Sequence, residues 1–180
     1  DAEDAKDRHR RSGKGGRVMK NVGDLTMTLQ GDREIVVERS FDAPRALVFE
    51  CHSNPELVKR WLWGPEEWQM AECQIDFRVG GRYRYVWRSA TRGDMGMGGV
   101  YREIEAPARI VNTELFDEDW TEGEALNSVH FIAQGDRTLV RTIVAYSSDK
   151  AREGALKTGM LDGWEQGYVH LEQLIADLKK

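Results

Sequence analysis

The chain has 180 residues, of which 40% are hydrophobic and 32% are charged, and its formal net charge is −5 at pH 7. This length suits one domain with a substantial core, and the composition is ordinary for a soluble globular protein. No apolar run approaches the length of a membrane span, and no stretch has the pattern of a secretion signal. These features argue against a membrane protein and lead us to expect a cytoplasmic one.

The basic residues are concentrated at the start of the chain. Residues 1–20 contain seven Lys or Arg and four Asp or Glu, a local charge of +3, so the rest of the chain carries −8. An acidic body argues against nucleic acid as a partner. Residues 1–24 lack apolar periodicity and are interpreted as a disordered or tag-like basic arm, and residues 25–180 as a single domain.

Cysteine and histidine usage gives no sign of a metal site. Cys51 and Cys73 lie in apolar-patterned segments, which favours reduced, buried thiols over a disulfide. The four histidines show no paired spacing, whereas zinc needs three or four convergent ligands. We therefore expect neither a metal nor another cofactor.

Two strands and two short helices are predicted at the start of the domain. Residues 25–29 and 34–41 alternate with the period of two that is typical of strands. Pro44 then favours the end of a strand and the beginning of a helix, because proline disfavours helical geometry in its predecessor and suits a first helical turn itself. An Asn-Pro-Glu sequence at 54–56 predicts the beginning of a second helix, which ends before residue 64.

A run of antiparallel strands is predicted over 71–146. The clearest is at 82–88, where three aromatic residues alternate with arginines, so one face is aromatic and the other cationic. The strand at 97–105 has apolar residues on both faces, so its inner face stays unassigned. The strand at 109–116 carries three residues on one face: Val111, Thr113 and Leu115.

The end of the chain changes to a helical period. Apolar residues recur three or four apart over 164–178, which predicts a long amphipathic helix. Gly159, Gly163 and Gly167 fall four apart and leave a strip without side chains. This strip either lets another part of the chain approach closely or leaves space for a ligand, and the sequence leaves both readings open.

Seven short motifs occur together in a recognisable order: RSFDAP at 39–44, NPE at 54–56, RWLWGP at 60–65, DFRVGG at 76–81, GVY at 99–101, APARIV at 106–111 and GW at 163–164. Together they resemble the SRPBCC (START / Bet v 1-like) superfamily and, within it, the homologues of the activator of the heat-shock protein 90 ATPase. The resemblance covers roughly residues 34–178. It implies an α+β helix-grip fold, in which a curved antiparallel β-sheet wraps around a long C-terminal helix and two short helices follow the first strand.

This resemblance also implies a cavity between the sheet and the last helix, which in the superfamily commonly holds an apolar small molecule, a lipid or a polyketide. No catalytic residue is assigned. The alternation of side chains along the strands and the faces of the helices indicate which residues would line this cavity: Val37, Trp61, Ile75, Phe77, Tyr83, Tyr85, Trp87, Phe131, Val140, Met160, Gly163, Trp164 and Gly167.

Several interpretations of these residues stay open. They either surround a ligand or simply pack against each other. A cyclase or aromatase acting on polyketide-like substrates would use Tyr83, Tyr85 or Arg102 to orient its substrate, although an enzyme is the less favoured reading. The resemblance also allows a co-chaperone that stimulates a heat-shock chaperone ATPase, an interaction module or a homodimer.

Overall fold

The computed structural model describes residues 17–22, 25–63 and 67–180. In this part of the chain nine strands and four helices follow one another: β1 (Arg17–Val22), β2 (Leu25–Gln30), β3 (Glu34–Phe41), α1 (Arg45–Ser53), α2 (Pro55–Trp61), β4 (Trp68–Ile75), β5 (Arg82–Ser89), β6 (Gly93–Glu105), β7 (Arg109–Phe116), β8 (Ala125–Gln134), β9 (Arg137–Ala145), α3 (Asp149–Leu156) and α4 (Met160–Leu178).

All nine strands belong to one antiparallel sheet with the order β1-β2-β3-β9-β8-β7-β6-β5-β4. The long C-terminal helix α4 packs on this sheet, where the ring of Tyr168 meets Phe41 of β3 edge-on at 5.3 Å between centroids. Tyr168 is 1% exposed and is among the largest fully buried side chains. The predicted α+β helix-grip fold is therefore confirmed. The two short helices follow the third strand, because β1 and β2 extend the sheet before β3.

The first strand corrects the prediction of a basic arm over 1–24. Residues 17–22 form β1, which pairs with β2 from Arg17 opposite Leu29 to Val22 opposite Leu25. An edge strand is held by backbone hydrogen bonds along one side, so it does not need the apolar alternation that marks a buried strand. Residues 1–16 and 23–24 of the predicted arm lie outside the described residues.

The short helices begin where the proline and asparagine signals predicted. The Pro44 carbonyl accepts from the backbone N–H groups of Leu47 at 3.0 Å and Val48 at 3.2 Å, which begins α1. Asn54 Oδ1 accepts from the backbone N–H of Glu56 at 3.0 Å, which caps α2. These local bonds satisfy backbone groups that the first helical turns would otherwise leave unpaired.

A β-bulge explains why the inner face of β6 stayed unassigned. Its register with β7 shifts between Tyr101 and Glu103. Met97 and Tyr101 are buried before the shift, and Ile104 packs against the core after it. Because the bulge adds one residue and reverses the alternation, the inward-facing residues are odd-numbered before it and even-numbered after it.

Two helices complete the chain. Ser148 Oγ accepts from the backbone N–H of Ala151 at 3.0 Å and caps α3. Gly159 separates α3 from α4 with φ +78°, a left-handed conformation that glycine adopts without strain. Each helix in the described part of the chain is too short or too polar to cross a lipid bilayer.

Candidate ligand-binding site

A cavity of about 140 Å³ lies between the inner face of the sheet and helices α1, α2 and α4. Its helical wall consists of His52, Val58, Trp61, Leu62 and Trp164. Strands β5 and β6 contribute Tyr83, Tyr85, Met97 and Tyr101. Strands β7 to β9 contribute Ile110, Asn112, Glu114, Asn127, Val129 and Thr142.

Four of the side chains proposed from the sequence line this cavity. Tyr83 and Tyr85 come from the aromatic face of β5, Trp61 from the end of α2, and Trp164 from the first turns of α4. Helix and sheet therefore each contribute aromatic rings to the same space, and this arrangement suits the apolar body of a small ligand.

The other nine proposed residues lie outside the lining, mostly because they pack against each other. The ring of Phe131 contacts Phe49 at 5.2 Å between centroids, and the ring of Phe77 contacts Tyr101 at 5.1 Å. The alternation of side chains along a strand predicts which of them point inward, but it does not distinguish residues that pack against each other from residues that line a cavity. Five more of the nine belong to the filled core or pack against it: Val37, Ile75, Trp87, Val140 and Met160.

The remaining two proposed residues belong to the glycine strip of α4. A Cβ atom at Gly167 would lie 3.9 Å from the ring of Trp61, so Trp61 occupies the space beside this glycine. A Cβ atom at Gly163 would meet nothing within 4 Å. Close packing therefore holds at one position of the strip and open space at the other. Neither glycine lines the cavity.

A hydrogen-bond cluster joins the aromatic wall to β7. The Tyr83 hydroxyl donates to the Thr113 carbonyl at 2.6 Å. The Asn112 side-chain amide donates to the Tyr83 hydroxyl at 3.0 Å and to the Thr113 carbonyl at 3.2 Å. Burial raises the pKa of Tyr83 well above its usual value, so this hydroxyl stays protonated. The donors of both side chains are therefore occupied within the protein.

Glu114 is the one acidic side chain in the lining formed by the described residues. Asn127 donates its side-chain N–H to Glu114 Oε2 at 2.9 Å. Burial raises the pKa of Glu114, and this hydrogen bond opposes the rise only in part. The other polar atom of the amide, Asn127 Oδ1, is buried and has no hydrogen-bond partner among the described residues. Asn127 therefore lines the cavity and carries an acceptor that the described protein residues leave unused.

His52 adds a neutral imidazole to the helical wall. Its Nδ1 donates to the Val48 carbonyl at 2.8 Å, and its ring lies 4.9 Å from that of Trp61 and 5.0 Å from that of Phe131. Burial lowers the pKa of His52 to about 4. At neutral pH the ring is uncharged, and Nε2 is then an acceptor because the proton is on Nδ1.

Two indole N–H groups fix α2 over the cavity. Trp61 Nε1 donates to the Cys51 carbonyl of α1 at 2.8 Å, and Trp87 Nε1 of β5 donates to the Leu62 carbonyl at 2.8 Å. The end of α2 is therefore tied to α1 on one side and to the sheet on the other. This holds Trp61 in the wall.

Sequence reasoning missed the polar part of the lining. On β7 it noted the face that carries Val111, Thr113 and Leu115, yet Ile110, Asn112 and Glu114 face the cavity. The available signal was the presence of Asn and Glu at alternate positions after Ile110 in a strand that is otherwise apolar. Arg102 of the cyclase hypothesis is exposed and does not line the cavity. Within the described ranges, no three His, Cys, Asp or Glu side chains converge as a metal site requires.

An antiparallel sheet that wraps around a C-terminal helix, with a cavity between them, defines a helix-grip domain of the SRPBCC type. Within that class, residues 42–176 match the family model described as Activator of Hsp90 ATPase homolog 1-like protein. The match spans well over half of the chain, and the chain belongs to this family.

Solved structures show the same fold. A protein from Rhodobacter sphaeroides is 25% identical, with a TM-score of 0.79 over 85% of this chain and 99% of its own. A protein from Nitrosomonas europaea is 20% identical, with a TM-score of 0.74 over 84% of this chain and 99% of its own. CalU16 from Micromonospora echinospora is 18% identical, with a TM-score of 0.58 over 90% of this chain and 87% of its own. A search of curated proteins gives no match.

Proposed function

We propose that the protein binds a small molecule with a compact apolar or aromatic body and one polar end in the cavity between the sheet and α4. One observation carries this proposal. Five aromatic side chains line the same cavity as Asn127, whose buried amide oxygen Oδ1 has no partner among the described residues. A buried acceptor without a partner is unfavourable, and a donor on a ligand would satisfy it.

The volume limits the size of the ligand. An apolar protein cavity of about 150 Å³ accommodates benzene, whereas sites for drug-sized molecules occupy about 300–1,000 Å³. At about 140 Å³, the cavity in this conformation suits a molecule with a single ring. This is a narrower expectation than the lipid or polyketide that is common in the superfamily.

Phenol is a suitable first probe, because it combines one ring with one hydroxyl donor. Titration into wild-type protein, followed by two-dimensional NMR of the amide groups, should give saturable shifts in β7, β8 and α2. Substituting Val129→Phe should abolish them, because Val129 lines the cavity and a phenyl group would fill part of it. Ile132→Phe is the matched control, since Ile132 is on the same strand and is 41% exposed.

Two outcomes would refute ligand binding in this cavity. One is the absence of saturable shifts in the wild type with phenol and with the other single-ring probes described below, at any concentration that leaves the fold intact. The other is equal binding by the Val129→Phe and Ile132→Phe variants, which would place the phenol elsewhere. A larger co-purified hydrophobe, identified by mass spectrometry after extraction, would instead show that the cavity expands around its ligand.

The family match over 42–176 favours a second candidate function, stimulation of a chaperone ATPase. The test is a steady-state ATPase assay of purified Hsp90 with and without the protein. If this function holds, the Val129→Phe variant should stimulate as well as the wild type, because the buried cavity would not be the contact surface. Stimulation that disappears in this variant would link the two functions, and no stimulation would remove the second.

A further inference from the structure

We infer that the cavity is selective for small organic cations, in particular a primary ammonium group on a compact apolar ring, and that Glu114 and Asn127 bind that group. The inference deepens the proposed function and rests on it. It names the chemical class of the ligand and the two residues that recognise it.

The first argument is the charge of the lining. Glu114 is the acidic side chain, and none of the lining residues that the structure describes is Lys or Arg. His52, the one basic side chain in that lining, is neutral at physiological pH. Burial raises the pKa of Glu114, and the hydrogen bond from Asn127 opposes that rise. An ionised carboxylate without a counter-charge is costly in such a site, and a bound cation would remove that cost.

The second argument is the direction of the hydrogen bonds. The Tyr83 hydroxyl and the Asn112 amide both donate within the cluster, and the Asn127 amide donates to Glu114. Within this hydrogen-bond cluster, the unpartnered acceptor is Asn127 Oδ1, which belongs to the same amide that binds the carboxylate of Glu114. An ammonium group has three donors and no acceptor, so it matches this pair. A carboxylate or phosphate ligand would be repelled by Glu114 and would meet no free amide donor here.

The third argument is the aromatic content of the wall. Tyr83, Tyr85, Tyr101, Trp61 and Trp164 surround the same volume as Glu114. Aromatic rings attract cations through their quadrupoles, most strongly in desolvated sites. They also bury an apolar ring, so the same aromatic wall can contact both the ring and the ammonium group of the ligand. A neutral ring with a hydroxyl would use the apolar wall but gain less from Glu114.

The test compares two probes that differ in one polar group. Cyclopentylammonium and cyclopentanol each have six heavy atoms, like the benzene that fits a cavity of comparable size. Both are titrated at pH 7.5 into the full chain and followed by NMR of the amide groups. We expect cyclopentylammonium to bind about tenfold more tightly, which corresponds to one hydrogen bond to a charged partner.

Substitution then tests the role of the carboxylate. Glu114→Gln keeps an oxygen acceptor for the Asn127 amide, and it should bring the affinities for the two probes to within about twofold to threefold. Glu118→Gln is the matched control, because Glu118 is exposed in the loop after β7 and the substitution removes the same charge. Its preference for the ammonium probe should equal that of the wild type.

The outcomes separate this inference from the proposed function. Suppose that wild-type protein binds phenol and cyclopentanol, and binds cyclopentylammonium no more tightly than cyclopentanol. The site then has no preference for a cation, so the inference is wrong, whereas the proposed function stands. This comparison needs no variant, so it remains decisive if Glu114→Gln does not fold. If none of the three probes binds, both fail. A preference for cyclopentylammonium that persists in Glu114→Gln would assign the recognition to another group.

Discussion

Asn112 and Asn127 lie directly opposite each other on the neighbouring strands β7 and β8, and their side-chain amides donate in different directions. Asn112 binds the Tyr83 hydroxyl of the aromatic wall, and Asn127 binds the Glu114 carboxylate. One cross-strand pair thus holds both an aromatic ring and the acidic side chain of the cavity lining. The pair positions the cavity wall.

The first prediction concerns the partner of Glu114. Asn127→Leu removes the N–H that stabilises the carboxylate, so the pKa of Glu114 should rise further. The variant should lose about 1–3 kcal/mol of stability at pH 7 by urea denaturation, because a buried charged acceptor loses its donor. This loss of stability should become smaller at acidic pH, as the Glu114 carboxyl becomes protonated.

A double-mutant cycle with Glu114→Gln provides the control for that prediction. If the hydrogen bond is the cause, Asn127→Leu should cost less in the Glu114→Gln background than in the wild type at pH 7. Equal costs in the two backgrounds would show that the packing of Asn127, and not its bond to Glu114, determines the result.

The second prediction concerns the glycine strip. Gly163→Ala in α4 should stabilise the protein by about 0.5–1 kcal/mol, because its Cβ meets nothing within 4 Å and alanine favours the helical backbone. Gly99→Ala on β6 is the contrasting variant. Its Cβ would overlap the Thr113 carbonyl oxygen, so we expect a loss of about 1–3 kcal/mol. Thermal denaturation of both variants checks the signs, and a destabilised Gly163→Ala would contradict the open space beside this residue.

Some of the site was predictable because its signals are local. The Asn-Pro-Glu sequence predicts the beginning of α2, and the alternation on β5 places Tyr83 and Tyr85 on the inner face. These signals depend on neighbouring residues and on a period of two. They correctly place the elements that carry Trp61 and the two tyrosines.

The polar wall was not predictable for a physical reason. Asn112 is 29 residues from its partner Tyr83, and Glu114 is 13 residues from Asn127. Inward polar residues interrupt the hydrophobic pattern that marks an inner face, and only the folded sheet brings their partners close enough to satisfy them. The alternation of residues along β8 likewise could not show that Phe131 packs in the core whereas Val129, two residues earlier, lines the cavity.

The third prediction is a pH dependence due to His52. Its pKa is about 4 in the folded protein and near 6.5 when unfolded, so the unfolded chain binds a proton that the folded one does not. The stabilising contribution is complete above pH 6.5 and is lost progressively as the pH falls toward 4. Over that window wild-type protein should lose on the order of 3 kcal/mol more than His52→Asn, which keeps a donor near the Val48 carbonyl but does not titrate.

Glu114 acts in the opposite direction, because its raised pKa makes protonation favour the folded state as the pH falls. The difference between wild type and His52→Asn in urea denaturation is therefore the quantity to follow, since Glu114 is common to both. His130→Asn is the control: its pKa is also lowered, but the ring is only partly buried and the difference should be smaller. Parallel curves for wild type and His52→Asn would show that the imidazole does not resist protonation.

The last prediction concerns Trp61, which donates to the buried Cys51 carbonyl at 2.8 Å and lines the cavity. Trp61→Phe leaves that carbonyl unpaired and enlarges the cavity. It should therefore lower the free energy of unfolding by about 1–3 kcal/mol while allowing larger rings such as naphthol to bind. Trp63→Phe is a matched control, because Trp63 Nε1 also donates to a carbonyl, that of Arg60 at 3.0 Å, but near the surface. Water can replace the lost donor there, so the cost should stay below about 1 kcal/mol. Two results would contradict this role of Trp61. One is that Trp63→Phe lowers the free energy of unfolding as much as Trp61→Phe does. The other is that Trp61→Phe binds no larger ligands than the wild type, which would show that Trp61 does not determine the size of the cavity.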